Sequence, residues 1–405
     1  MRITIDDKAL CTGCEACANV CGHSAISMQE DREGFRYPII DDLKCVDCGL
    51  CHRICPIINK VEKNHEKQKA FGGWINDEKI LNESTSGGAF SAIVDCWCND
   101  DSYVIFGAEA KGLSVYHTYI TNKNELSRFR QSKYKQSRIN DCYKMALTFL
   151  REDKKVLFAG TPCQIAALKS LVKNKYKNKL LTIEVICEGV PSPMLVRKLE
   201  QKFGPISQLD YRYKNNNKWD FEVMHFQHRN AKGNIKSVKI DRWFNPFWSI
   251  WLQHLISRPS CYKCPYTTQN RVADITLGDL WGVHIYCPDL YNNNKGSSLV
   301  ITNTPLGERI MSRLLSTTFC GRELDLNKAI SFQGPLRRTI KMNSKREECI
   351  RDLASSMDYN TFCKKWAKSP SLRLLISKYF FGTNRQKVNY WRLKQLIHKK
   401  CITQI

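Results

Sequence analysis

Eight cysteines in the first 55 residues repeat one spacing, Cys-x-x-Cys-x-x-Cys-x-x-x-Cys, in two copies. Thiolates at this spacing are ligands of 4Fe–4S clusters. Three cysteines two residues apart follow one curling loop and occupy three corners of a cubane, whereas the fourth points away and reaches the other cluster. The pattern predicts one cluster on Cys11, Cys14, Cys17 and Cys55, and a second on Cys45, Cys48, Cys51 and Cys21.

Zinc sites and disulfides are the alternatives for these cysteines, but neither accounts for two copies of one four-cysteine pattern. We therefore predict that residues 1–60 form a small ferredoxin-like dicluster domain that transfers electrons. Residues 61–69 are polar, charged and without hydrophobic periodicity, which predicts a linker.

Four later cysteines stand at turns or strand ends and are candidates for a third cluster: Cys163, Cys187, Cys261 and Cys264. The pair Cys261-x-x-Cys264, closed by Pro265, has metal-ligand spacing. Cys163 follows a strand in a Thr-Pro-Cys turn, where a helix N-terminus favours the thiolate. A catalytic thiol, a metal ligand and an inert buried residue all fit Cys163, and Cys187 equally fits plain burial.

The other eight cysteines show no ligand spacing, and we expect them to be structural. They are Cys96, Cys98, Cys142, Cys287, Cys320, Cys349, Cys363 and Cys401.

Three polar segments are candidates for binding an anionic ligand. Ser86, Gly87 and Gly88 precede a predicted helix, where exposed backbone N–H groups would suit a flavin phosphate; an ordinary N-cap after a flexible loop is the alternative. A second segment contains Lys133, Gln136 and Ser137. These residues either bind a phosphate or are simply exposed. The third comprises Arg271, Asp274 and Asp279 around a short strand, where Trp281 would stack on a flat ring, although a plain strand and turn looks similar.

Strands and helices alternate from Ala70 onward, which favours an α/β core with some parallel strands. We predict strands at 104–108, 115–120, 155–160 and 180–187, and helices at 138–151, 164–172 and 194–203. Three strands at 209–214, 219–228 and 235–240 predict an antiparallel insertion. The expected fold class is α+β or α/β, with this mixed core at 70–340 and a basic helical extension at 341–405.

The extension contains two amphipathic stretches, Leu372–Tyr379 and Tyr390–Lys400. They fit a helical pair that packs on the core, or a peripheral membrane or partner-docking tail. The 405 residues begin without the apolar segment of a signal peptide and contain no apolar run of about 18 residues. We expect a cytoplasmic protein, with membrane association through the basic C-terminus as the alternative. The net charge of +24 suits an acidic redox partner, a nucleic acid or an anionic membrane.

Six core motifs occur in an order that resembles one family, the beta subunits of coenzyme F420 hydrogenases and dehydrogenases. They are Ser-Gly-Gly-Ala-Phe (86–90), Lys-Tyr-x-Gln-Ser (133–137), the segment 156–166, Cys-Glu-Gly-Val-Pro-Ser (187–192), Cys-x-x-Cys-Pro (261–265) and the segment 274–282. The likeness covers roughly residues 70–305. It implies a flavin-binding core that holds FAD and one 4Fe–4S cluster, fused here to the ferredoxin domain.

The predicted function is an iron–sulfur flavoprotein oxidoreductase. Electrons pass between the ferredoxin clusters and FAD, and FAD exchanges hydride with an unidentified small-molecule substrate. The redox partner would be a ferredoxin or another oxidoreductase subunit. A non-catalytic electron-transfer subunit that serves a partner enzyme is the alternative, and nucleic-acid binding rests on the charge alone.

Overall fold

The protein is described by a computed structural model, which covers residues 2–4, 7–64, 67–99, 102–176, 178–214, 219, 223–241, 245–372, 375–376 and 393. Its strands are β1 (Ile26–Glu30), β2 (Arg36–Ile40), β3 (Lys69–Ile75), β4 (Tyr103–Lys111), β5 (Ser114–Ile120), β6 (Lys155–Gly160), β7 (Leu180–Val185), β8 (Ile206–Tyr213), β9 (Val223–Arg229), β10 (Ile235–Asp241), β11 (Ile275–Asp279), β12 (Ser298–Thr302) and β13 (Phe319–Leu324).

Its α-helices are α1 (Ala16–Val20), α2 (Leu50–Ile54), α3 (Glu78–Glu83), α4 (Ala89–Trp97), α5 (Cys142–Arg151), α6 (Pro162–Val172), α7 (Met194–Phe203), α8 (Pro246–Leu252), α9 (Val283–Tyr286), α10 (Pro305–Leu315), α11 (Leu326–Ser331), α12 (Arg346–Ala354) and α13 (Tyr359–Trp366). In the part of the chain that the structure describes, no helix is long and apolar enough to span a membrane.

An eight-stranded mixed sheet in the order β13-β3-β12-β11-β7-β6-β4-β5 organises the core. The neighbours β4, β6, β7 and β11 run parallel, and the strands that flank them pair antiparallel. The predicted α/β class with parallel strands is therefore confirmed. Parallel strands place their carboxyl ends at one edge of a sheet, where α/β folds form their ligand sites.

Alternating side chains of the parallel strands pack into two hydrophobic layers. Leu157 faces α4 and α10 on one side of the sheet. Val156 and Phe158 face α5 and α6 on the other side. Ala16 of α1 belongs to this second layer, so the dicluster domain packs against the face of the sheet that α5 and α6 cover.

The three-stranded antiparallel sheet β10-β9-β8 is the predicted insertion. Its apolar face shares one core with α7, α8, α12 and α13. Residues 346–366 therefore pack as part of this second core, although we expected them in a separate extension. The amphipathic stretches Leu372–Tyr379 and Tyr390–Lys400 lie outside the described residues, apart from Leu372, Leu375, Ile376 and Leu393.

The expected linker lies along the core at the positions that the structure describes. The backbone N–H of Asn64 donates to the Arg271 carbonyl at 2.9 Å, and its side-chain amide donates to the Ala273 carbonyl at 2.8 Å. Gln68 donates to the side chain of Asn303 at 2.7 Å. These contacts fix the path of the chain between the dicluster domain and β3.

A buried ion pair joins the dicluster domain to α12. The guanidinium of Arg346 contacts Glu33, which lies in the turn between β1 and β2, and donates to the Ser257 carbonyl at 2.9 Å. The side chains of Arg346 and Glu33 are only 6% and 11% exposed. A second pair, Arg197–Glu30, also joins the two parts of the protein, but its side chains are 41% and 31% exposed.

These two pairs predict different costs for equivalent substitutions. Arg346→Ala leaves a buried carboxylate unpaired and should lower the free energy of unfolding by about 3–5 kcal/mol. Arg197→Ala removes a solvated pair and should cost at most about 1 kcal/mol. Urea unfolding of the two cluster-loaded variants measures the difference, and equal losses would contradict the assignment of the buried pair as the main electrostatic contact.

Candidate functional site

A cavity of about 720 Å³ opens at the carboxyl ends of the parallel strands. Gly160 ends β6, Cys187 follows β7 by two residues, and Asp279 ends β11; all three line the cavity. Its volume lies within the range of about 300–1,000 Å³ that is usual for small-molecule and cofactor sites. The sheet topology thus brings segments distant in sequence to one ligand-sized space.

The four core cysteines lie together on the wall of this cavity. Cys163, Cys187, Cys261 and Cys264 all line it. Burial raises the pKa of Cys187 well above its usual range, and the nearby thiols of Cys261, Cys163 and Cys264 raise it further. Burial also raises the pKa of Cys261 to about 12 and that of Cys264 to about 11. Such thiols are protonated at neutral pH without metal, and iron would displace their protons because the thiolate is the ligand.

Thr161 and Gln164 together hold the start of α6, where Cys163 lies in the first turn. The backbone N–H of Thr161 donates to the Gln164 side chain at 3.0 Å, and Pro162 begins the helix. The Thr161 hydroxyl donates to the same side-chain oxygen at 3.1 Å and lies 3.2 Å from the Cys163 sulfur. Only half of a capping box is formed, because the Gln164 backbone N–H bonds to the Thr161 carbonyl and not to its hydroxyl.

The structure places the eight N-terminal cysteines in two groups. Cys55 lies within electrostatic range of Cys11, Cys14 and Cys17, since its charge contributes to the pKa of each. The remaining four line a separate small depression: Cys21, Cys45, Cys48 and Cys51. We call the first group the inner cysteines and the second the outer cysteines, because Cys48 is solvent-exposed.

The inner cysteines approach the core cysteines across one contact. Burial raises the pKa of Cys14 to about 12, and Cys163 adds to the rise. The Tyr143 hydroxyl lies 3.1 Å from the Cys14 carbonyl and 3.0 Å from the Gln164 carbonyl, so it bridges the two groups. The three cysteine groups therefore follow one another from the surface to the cavity.

The buried hydroxyl of Tyr266 supports a cluster at the core cysteines. This residue is 7% exposed, and its oxygen has no hydrogen-bond partner among the described residues. Burial raises its pKa above the usual range, and Cys163, Cys14 and Cys264 raise it further, so the ring lies near both the inner and the core group. A buried hydroxyl normally has a partner, and the sulfur atoms of a bound cluster would supply one.

Within the described ranges, no group of three or more His, Cys, Asp or Glu side chains is arranged to hold a metal ion.

The N-terminus of α4 forms the other wall of the cavity. Gly88 is its N-cap with a φ of 76°, a conformation that glycine adopts without strain, and it has no side-chain cap. Gly88, Ala89 and Ser86 line the cavity, so the first N–H groups of the helix are available to an anion there.

Gly87 corrects part of the sequence prediction. Its N–H donates to the Ser298 hydroxyl at 2.9 Å, and it does not line the cavity. A β-carbon at this position would lie 2.4 Å from the Gly73 carbonyl oxygen, so the glycine permits the loop to pack against β3. The packing of the loop, and not a phosphate contact, explains this glycine.

Cations dominate the cavity wall. Seven Lys or Arg residues and two Asp or Glu residues line it, which favours an anionic occupant. Lys133 is the most suitable of the predicted residues, because burial lowers its pKa to about 8 and only two of its three N–H donors have partners among the described residues. Those partners are the carbonyls of Phe129 and Arg130, at 3.1 and 2.6 Å.

Gln136 and Ser137 line the cavity, but their polar groups are engaged in positioning the site. The Gln136 amide donates to the carbonyls of Thr12 and Gly13, both at 2.9 Å, and so fixes the loop that carries the inner cysteines. The Ser137 hydroxyl accepts from the Gln164 amide at 2.9 Å, which braces the start of α6.

The three residues around β11 that we predicted to bind a ligand interact with other protein groups instead. The carboxylate of Asp274 accepts from Thr182 and Thr304 and does not line the cavity, so we no longer assign it to a ligand. Arg271 lines the cavity, but its guanidinium pairs with the buried Glu184. Asp279 pairs with Arg212 at 2.6 Å at the cavity wall.

The predicted platform Trp281 is already stacked. Its ring lies 5.5 Å from that of Trp219 with an interplanar angle of 9°, and the Arg212 guanidinium lies 5.6 Å from its centre. Trp281 therefore belongs to an aromatic–cation stack at the rim of the cavity.

Sequence reasoning missed two buried residues at the site. His117 donates from Nε2 to the Ala159 carbonyl at 2.9 Å, and burial lowers its pKa to about 4, so the ring is neutral. Arg258 reaches the loop of the inner cysteines and is 1% exposed. Neither lies in a motif with ligand spacing, so only the fold reveals their positions.

Comparison with known proteins finds two family matches in the chain. Residues 10–58 match the 4Fe-4S dicluster domain, and residues 153–321 match the C-terminal domain of the coenzyme F420 hydrogenase/dehydrogenase beta-subunit family. The chain joins these two domains. The resemblance inferred from the motifs is therefore confirmed, and all four core cysteines lie within the matched region of the second domain.

Two further similarities are more limited. An uncharacterized polyferredoxin-like protein of Methanocaldococcus jannaschii is 40% identical over 60 residues, which is 13% of this chain and 36% of that protein. The chain thus spans about a third of that relative. A chain of the F420-reducing [NiFe] hydrogenase complex from Methanosarcina barkeri matches with a TM-score of 0.42 and 15% identity, over 75% of this chain and 92% of that one.

The division into inner and outer cysteines predicts how paired substitutions combine. A cubane that loses one ligand should release about four irons. Cys11→Ala with Cys55→Ala should therefore lose no more iron than either alone, whereas Cys11→Ala with Cys21→Ala should lose about eight. Iron analysis of the anaerobically purified variants measures this, and a loss of about eight irons in the first pair would contradict the division.

Proposed function

We propose that the protein is an iron–sulfur flavoprotein oxidoreductase with a third 4Fe–4S cluster and FAD in its core. The cluster would be held by Cys163, Cys187, Cys261 and Cys264, and FAD would occupy the cavity that these cysteines line. Electrons would pass between the dicluster domain and FAD, with hydride exchanged at FAD with a small-molecule substrate.

One observation carries this proposal: the four core cysteines, the N-terminus of α4 and Lys133 line the same cavity. A cluster on the cysteines would therefore lie beside an anionic cofactor bound at α4. A diphosphate fits the helix N-terminus and Lys133. FAD, when bound, converts single electrons into a hydride, a conversion that iron–sulfur clusters cannot perform.

The residues of the chain position these groups. The hydrogen bond between Thr161 and Gln164 would hold Cys163 at the cavity wall that it shares with Cys187. Gln136 ties this wall to the loop of the inner cysteines through the Thr12 and Gly13 carbonyls. His117 is neutral and adds no charge to the cavity wall beside Ala159. The cationic part of this wall is therefore the part that contains Lys133.

The second candidate function is an electron-transfer subunit that serves a partner enzyme. Large apolar side chains surround the outer cysteines: Leu43 is 99% exposed and Val46 is 58% exposed. Such a patch suits contact with another protein. Purified protein that contains FAD, reduces no small molecule and exchanges electrons only within a complex would favour this candidate.

The cofactor content tests the proposal. Anaerobically purified protein should contain about twelve irons and one FAD per chain, since three cubanes hold four irons each. Cys264→Ala should lose about four irons and keep the two ferredoxin clusters, whereas Cys320→Ala, at an exposed position outside all three groups, should lose none. Eight irons and no flavin in the unmodified chain would overturn the proposal.

Lys133 predicts a pH dependence of FAD binding. Burial lowers its pKa to about 8, so an anionic cofactor should bind most tightly below that pH and progressively more weakly as the pH rises above it. Lys133→Met should weaken FAD binding about tenfold at pH 7, the value of one hydrogen bond to a charged group, and should flatten this pH dependence.

Titration of deflavinated protein with FAD at pH 7 to 10 measures both effects. Lys236→Met removes the same charge from an exposed position on β10 and serves as the control. An unchanged pH dependence in Lys133→Met would exclude Lys133 as the anion-binding group.

A further inference from the structure

Arg258 lies between the inner and core cysteines. Its guanidinium donates to the Cys11 carbonyl at 3.1 Å, the Gln136 side chain at 2.9 Å and the Arg36 carbonyl at 3.0 Å. Its own carbonyl accepts from the backbone N–H of Cys261 at 2.9 Å. One residue therefore contacts the backbone of both cysteine groups.

Close contacts hold the Arg258 guanidinium on the side of the dicluster domain. The residue is 1% exposed, and its guanidinium lies 4.3 Å from the centre of the Tyr37 ring. Gly13 has a φ of 64°, and a β-carbon there would lie 2.8 Å from a guanidinium nitrogen. These contacts fix the cation beside Gly13 and Tyr37.

Arg258 differs from the other buried arginines in its partners. Arg212, Arg271 and Arg346 each pair with a carboxylate. Arg258 makes no such pair with any carboxylate in the described part of the chain, and its hydrogen-bond acceptors are neutral. A buried cation is costly unless an opposite charge offsets it. The nearest groups that become anionic are the cysteines on either side.

The charge of Arg258 acts on both cysteine groups. Its guanidinium hydrogen-bonds to the backbone of Cys11, and its main-chain carbonyl hydrogen-bonds to that of Cys261. The positive charge would therefore act on clusters bound at both groups. Reduction adds one negative charge to a cluster, so a fixed cation nearby favours the reduced state and raises the reduction potential.

We propose that Arg258 is the shared counter-charge of the inner and core clusters and raises the reduction potentials of both; for the core cluster, this inference rests on the proposed function. Burial alone disfavours the added charge of reduction in these two clusters, compared with the more exposed outer cluster. Arg258 offsets that penalty. The potentials of the two buried clusters are thereby brought closer to that of the outer cluster.

Redox titration of the three clusters, followed by electron paramagnetic resonance, tests this inference. Arg258→Gln should retain its iron, and the ratio of reduced to oxidised inner and core clusters at a fixed potential should fall about tenfold, which is about 59 mV for a one-electron couple. The outer cluster should be unchanged. Arg128→Gln removes the same charge from a pair with Glu109 remote from these contacts, and should leave all three potentials unchanged.

Three results would overturn the inference: no shift in an iron-replete Arg258→Gln, an equal shift in all three clusters, or a tenfold shift in Arg258→Lys, which keeps the charge. If Arg258→Gln loses iron, Arg258→Lys becomes the test variant. Its ratio of reduced to oxidised inner and core clusters at a fixed potential should stay within about twofold of the ratio in the unmodified protein. Unmodified protein with only eight irons would overturn the proposed core cluster, but the inner cluster would still report on Arg258.

Discussion

The packing of α1 against α5 and α6 sets the geometry on which the site depends. Ala16 is buried in the hydrophobic layer of these helices, and the Asn19 side chain donates to the Asn140 carbonyl at 2.7 Å. The same packing brings Cys14 within electrostatic range of Cys163. Electron transfer between clusters slows steeply with distance, so this packing determines whether the dicluster domain can exchange electrons with the core.

Charge is distributed unevenly along the chain. The first 60 residues contain nine Asp or Glu and seven Lys or Arg. The excess of Lys and Arg that gives the net charge of +24 therefore lies in the rest of the chain. Part of that excess lines the cavity, where it suits an anionic cofactor. The patch around Cys48 is apolar and its domain is slightly acidic. The net charge therefore does not identify the partner at the outer cluster.

Local patterns in the sequence predicted the parts of the site that are built locally. The spacing of the N-terminal cysteines predicts two ligand groups, and Thr161-Pro162-Cys163 predicts a helix start, which the structure has at Pro162. Gln136 and Ser137 are different, because their partners Thr12 and Gln164 are 124 and 27 residues away. Arg258 illustrates the same limit, since its hydrogen bond to Cys11 spans 247 residues. Only the folded sheet brings such residues together.

The approach of the inner cysteine group to the core group is the central claim. Electron paramagnetic resonance of the fully reduced protein tests it, because neighbouring reduced clusters interact magnetically. We predict spectra broadened or split by this interaction, which should simplify when Cys163→Ala removes the core cluster. Three independent cluster signals that simply add together in the fully reduced protein would contradict the account.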